Sequence, residues 1–260
     1  MNAIWKIARK ELKGYFVSPT GYIVLSLFSV LAGWYFFNHV NRFNDLVTTY
    51  QMARQPDVLN QINLNRFVVV PLFNELLMLF TVFLPAVTMR LIAEEKKQKT
   101  MELLFTSPVR TSDIILGKYL SVLIFLAIML ALTLIYPAIL FVYGSPGPEL
   151  VPIITGYAGL FMVGACILSV GVFGSSITEN QIVAFVISLS ISLLFYIISM
   201  PAGAVGGVIG TTLSFLSLKE HFAGLANAFI DTRALLYYVS FVFVWLYLTH
   251  RIMEGSRSSR

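Results

Sequence analysis

The chain has 260 residues, of which 57% are hydrophobic, 14% aromatic and only 12% charged, with a formal net charge of +5 and a mean hydropathy of +0.80. A soluble domain carries about 25% charged residues, so no stretch of domain length has the polar surface to face water, and the chain reads as an integral membrane protein. Its one cysteine, Cys166, lies in an apolar run, which excludes an intrachain disulfide framework and a cysteine-based metal site and leaves a small buried or lipid-facing residue.

At a helical turn of about 100° per residue, Ile4, Trp5, Ala8, Leu12, Tyr15 and Phe16 share one face, while Lys6, Arg9, Lys10 and Lys13 cluster opposite. That pattern predicts a basic amphipathic helix lying on the membrane surface against lipid, rather than a plain positive flank. No small-residue cleavage site follows it, and Trp34-Tyr35-Phe36-Phe37 has the character of an interfacial anchor. The segment is therefore expected to be retained rather than cleaved as a signal peptide.

A helix needs roughly 20 apolar residues to cross the hydrocarbon core. Six stretches reach or approach that length: Gly21–Phe37, Val68–Ile92, Ile114–Tyr143, Val151–Val172, Ile182–Met200 and Ala234–Thr249. The third is over-long and contains Pro137, which predicts a tilt or kink near its far end. Residues 38–67 read as an extracytoplasmic loop with room for a short helix. Glu75 falls near the outer end of the second span, where a rim or structural role stands ahead of substrate contact. Residues 201–233 hold Gly203, Gly206, Gly207 and Gly210, then an apolar stretch with Lys219, Glu220 and His221. They are too polar to span and too apolar for a free loop, so short re-entrant or interfacial helices are expected there.

With six spans, 13 of the 18 Lys and Arg residues lie on the side of the two termini and 5 on the other. Cations accumulate on the cytoplasmic side, which predicts that both termini are cytoplasmic. The fold expected is an all-α membrane domain covering 1–260, with six spans and a cytoplasmic loop at 93–113.

That loop carries the run AEEKKQKTMELLFTSP, from Ala93 to Pro108. Glu94 and Glu95 continue the second span's helix into water. Thr100 fits an N-cap, with Glu102 in the following first turn; Leu103, Leu104 and Phe105 form an apolar tip, and Pro108 ends the helix. A merely solvated charge run needs no Leu-Leu-Phe, so the tip calls for a partner or the bilayer surface. His39, His221 and His250 are scattered without metal-ligand spacing. Ser169, Ser188, Ser190 and Ser192 lack a histidine at matching depth and suit helix packing. No nucleic-acid partner is expected.

Several stretches carry a resemblance. Arg90-x-x-x-Glu94-Glu95-x-x-x-x-Thr100-x-Glu102-Leu103-Leu104-x-x-x-Pro108 resembles the cytoplasmic loop of ABC-2 type ABC transporter permeases. Lys10-Glu11-Leu12, Ser18-Pro19-x-Gly21-Tyr22, Gly117-Lys118-Tyr119-Leu120 and Phe173-Gly174-Ser175-Ser176-x-Thr178-x-Asn180-Gln181-x-x-Ala184 extend it over nearly the whole chain. Together they are most similar to the permease subunit of the gliding-motility type transporter. The resemblance implies a permease of the bacterial inner membrane, paired with a second copy or a sister permease and bound to two ATPase subunits. The loop would then be a coupling helix, with Leu103, Leu104 and Phe105 seated in an ATPase groove and Glu94, Glu95 and Glu102 as polar docking groups. No cofactor is expected in this chain, because it lacks G-x-x-x-x-G-K-[ST]: Gly117-Lys118 is followed by Tyr119, and Ser112 stands where the first Gly would be. ATP is left to the partner subunit. One departure is Lys99, where the family has Gly before the Thr; a left-handed turn is costly for Lys. A non-transporting scaffold that transmits ATPase-driven motion is the alternative reading. A stand-alone secondary transporter lacks the ionisable pairs it would need at mid-membrane.

Overall fold

In the computed structural model, which describes residues 3–53, 63–101, 109–144 and 147–258, all regular structure is helical. The amphipathic segment forms α1 (Ala3–Val17). Ser18 then adopts an extended backbone and caps α2 (Pro19–Met52), its hydroxyl accepting from the Thr20 N–H, with Pro19 in the first turn where its missing N–H costs nothing. At 34 residues α2 runs well past the predicted end at Phe37. Asn38, Asn41, Arg42, Asn44 and Asp45 end the hydropathy, but none breaks a helix, so residues read as loop continue it. At 1.5 Å per residue it is about 50 Å long and overshoots a hydrocarbon core of about 30 Å.

A π-helical turn at Asn65–Val69 leads into α3 (Val70–Thr88), and the short α4 (Ala93–Lys97) follows. The third stretch divides into α5 (Thr111–Thr133) and α6 (Ile135–Tyr143). The break expected from Pro137 is present, and its cause is visible. Proline cannot donate to the carbonyl four residues back, and that carbonyl, Thr133 O, instead accepts the Tyr157 hydroxyl at 2.9 Å. Then come α7 (Leu150–Ile177), α8 (Gln181–Ile197), three short helices α9 (Ala202–Val205), α10 (Gly207–Leu216) and α11 (Leu218–Ala226), and the long α12 (Thr232–Ser258). The short helices before the last span are as expected; Gly206 and Gly207, at φ of 62° and 59°, turn the chain between α9 and α10.

Among the described residues, five helical stretches are long and apolar enough to cross a membrane: Pro19–Met52, Asn65–Lys97, Thr111–Tyr143, Leu150–Ile177 and Thr232–Gly255. The helix α8 is apolar but has 17 residues, at the lower limit of a span. The bundle is built around α7, which packs against α3, α5, α8, α11 and α12. In its most apolar window 72% of residues are buried, against 22% in α2 and in α12, so these two are peripheral. Small residues permit the approach: a Cβ on Gly156 would lie 2.0 Å from the Phe73 ring of α3. Since lipid is as apolar as Leu, such close packing, not water exclusion, holds membrane helices together.

Candidate functional site

The loop helix α4 has only five residues and cannot stand alone in water. It is held at both ends. The N–H groups of Ile92, which precedes the helix, and of Ala93, its first residue, both donate to Ser175 Oγ at 3.0 Å, and that hydroxyl donates to Met89 O at 3.1 Å. One buried serine near the end of α7 thus satisfies three backbone groups. The other end is tied to the same place, because Lys96 Nζ donates to the carbonyl of Ser176.

A second attachment centres on Lys118, in the second turn of α5. Its side chain is 1% exposed, and Nζ lies 2.9 Å from Glu11 Oε1 of α1 and 2.9 Å from Glu95 Oε1 of α4. A third donor reaches Leu91 O at 2.6 Å. An ammonium has three N–H donors, and here each meets an oxygen from a different part of the chain. The carboxylates are 19% and 14% exposed, so the charges are largely desolvated and bind one another strongly. Glu95 Oε2 is buried with no hydrogen-bond partner among the described residues.

The α1 helix completes the cluster. Its inward residues lie against the start of α5, where a Cβ on Gly117 would be 2.8 Å from Ile7 Cβ and 2.9 Å from Ile4 O. The Tyr15 hydroxyl donates to Val87 O at 2.9 Å, tying α1 to α3. The helix therefore spends its apolar face on the protein. Lys6, Arg9, Lys10 and Lys13 are exposed as expected, but so is Trp5, at 48%; it stands with the cations rather than with Ala8 and Tyr15.

Of the remaining predicted residues, Glu94 is half-buried and accepts from Gln98 Nε2 at 3.2 Å. Glu95, expected as a polar docking group, turns inward onto Lys118. Lys99 takes φ of 55°, the left-handed conformation that ends many helices and favours glycine, and its N–H donates to Lys96 O at 3.1 Å. The chain makes the turn with the costlier residue. The Thr100 hydroxyl donates back to Glu95 O at 3.3 Å; the N–H groups it was expected to cap, with Glu102, Leu103, Leu104, Phe105 and Pro108, lie outside the described residues.

Lys118 and Ser175 were missed as site residues. A signal existed for the first: Lys118 lies on the buried stripe Thr111, Ile115, Val122 and Phe125 at helical spacing, where a lone cation demands a counter-charge. Ser175 gave none, since serines on packed membrane helices are common. Among the described residues the cluster brings together one ammonium, two carboxylates and one serine hydroxyl. Glu95 fastens α4 to Lys118 of α5, which also holds Glu11 of α1, and Ser175 and Ser176 fasten it to α7.

A family model described as ABC-2 family transporter protein matches residues 47–249, well over half of the chain. The match takes in Glu95, Lys118 and Ser175, and begins after α1. No curated protein matches the chain.

Proposed function

Since the chain belongs to the ABC-2 family of transporter proteins, we propose that it is the permease subunit of an ABC exporter, driven by ATP that separate subunits hydrolyse. The observation that carries this reading is the fastening of α4 to α1, α5 and α7 through Lys118 and Ser175. A solvated connector has no use for three anchors, whereas a helix that receives a push from outside the membrane needs them. The pushing partner is an ABC ATPase, two copies serving two permeases, either two of this chain or this chain and a sister. Leu103, Leu104 and Phe105 enter the ATPase groove, with Glu94, Thr100 and Glu102 at its rim and Pro108 ending the inserted segment. Closure of the ATPase pair displaces the loop, and the α1–α5–α7 unit carries the displacement to the spans. The resemblance supports a bacterial inner membrane, and the distribution of Lys and Arg supports six spans with both termini in the cytoplasm. The closer kinship with gliding-motility permeases is supported by the loop motif together with Lys10-Glu11-Leu12, Ser18–Tyr22, Gly117–Leu120 and Phe173–Ala184.

The test is capture of the cognate ATPase by permease at matched membrane levels. Burying one Leu is worth about 1.5–3 kcal/mol, so changing Leu103 and Leu104 together to Ser is expected to weaken capture by about two orders of magnitude or more. Wild-type capture by that variant would refute the seating of this segment.

A further inference from the structure

Two cavities meet where α1 turns into α2 beside the end of α3. One, of about 320 Å³, is polar and lined by Glu11, Tyr15, Ser18, Arg90 and Glu94. The other, of about 220 Å³, is lined mainly by Ile23, Val24, Ala86, Val87 and Phe125. Tyr15 and Arg90 line both. Arg90 is the first cation after the apolar run of α3, at the depth where a span gives way to headgroups. Among the described residues its guanidinium makes one hydrogen bond, to Thr20 Oγ1 at 2.6 Å, and no carboxylate comes within ion-pair distance of it. A guanidinium has five N–H donors in a fork that matches phosphate oxygens.

We propose that the paired cavities hold one phospholipid bearing a primary amine, taken from the adjoining leaflet. Its phosphate sits on Arg90, its ammonium on the carboxylates of Glu11 and Glu94, and the start of an acyl chain in the apolar compartment. The charge pattern selects this class. Arg90 shares its cavity with the carboxylates of Glu94 and of Glu11, whose Oε1 is held by Lys118, and this excess of carboxylate complements a zwitterionic headgroup and repels an anionic one. The neighbouring apolar compartment favours a lipid over a soluble phosphate ester, because the polar cavity alone stands at the small end of ligand sites, roughly 300–1,000 Å³. A lipid here would wedge α1 against α2 and α3 next to the Lys118 cluster.

Native mass spectrometry of delipidated, detergent-purified protein tests it, with phosphatidylethanolamine, phosphatidylglycerol and glycerophosphoethanolamine as probes. Wild-type protein should bind one phosphatidylethanolamine per chain more tightly than the other two probes. Arg90→Gln, which keeps a donor for Thr20, should lose about tenfold or more in affinity for it, the low end for a lost charge-assisted contact. Lys97→Gln, which removes an exposed cation of α4, should change it by less than about twofold, as exposed charges contribute little. Glu94→Gln should narrow the preference over phosphatidylglycerol. Equal binding by Arg90→Gln and wild type, or equal losses in Arg90→Gln and Lys97→Gln, would overturn the site. Phosphatidylglycerol bound as tightly as phosphatidylethanolamine would overturn the amine assignment, and glycerophosphoethanolamine bound as tightly would overturn the lipid.

Discussion

Lys118 sits among carboxylates from two helices that are distant in sequence, and its stability follows from pairing rather than from any one contact. Removing one member of a buried ion cluster leaves an uncompensated charge, at a cost of about 3–5 kcal/mol. Lys118→Met is therefore expected to lower the melting temperature of the purified protein markedly, because Glu11 and Glu95 lose their shared counter-ion. Adding Glu11→Gln and Glu95→Gln to that variant should recover much of the loss, since no unpaired carboxylate then remains. If the triple variant melts below the single one, the cluster stabilises by shape and not by charge. Lys118→Arg should not rescue the cluster: the planar fork cannot place three donors as a compact ammonium does.

At the scale of the helix, α1 has the amphipathic pattern expected of it, and its apolar face packs on α5. Periodicity finds an apolar face but does not say whether lipid or protein covers it. The protein covers this one because Gly117 leaves room for Ile4 and Ile7. Gly117→Leu is expected to push α1 away from α5, breaking the Glu11–Lys118 contact. Limited proteolysis should then cut after Lys6, Arg9, Lys10 or Lys13 at least several-fold faster than in wild type, while the spans stay intact. An unchanged cleavage rate would mean that α1 is held elsewhere. A different limit of pattern reading appears in α2, where polar residues marked the end of the apolar segment but not the end of the helix.

For the whole molecule, the path of α8 fixes the topology. Its 17 residues span about 25 Å, enough for a thin or locally thinned bilayer. If α8 crosses, both termini share one side and the 13 cations gather there. A reporter active only outside the cytoplasm should then be silent when fused after Arg260 and active when inserted after Gly147. Activity at both positions would mean that α8 does not cross and that five spans is the right number.

Membrane class, the helical architecture of the described residues, the rough placement of the five long apolar helices and the break near Pro137 were legible in the sequence, because each depends on composition or local stereochemistry along a few turns. The family match over 47–249 agrees with motifs that are themselves local. The meeting of Glu11, Glu95 and Lys118, the three groups satisfied by Ser175, and the inward turn of Glu95 were decided only by the tertiary structure. Each joins residues some 80 or more positions apart or depends on which face of a short helix meets its neighbours. Side-chain charge is readable in a sequence; the low-dielectric surroundings that turn a surface cation into a buried anchor exist only once the helices have packed.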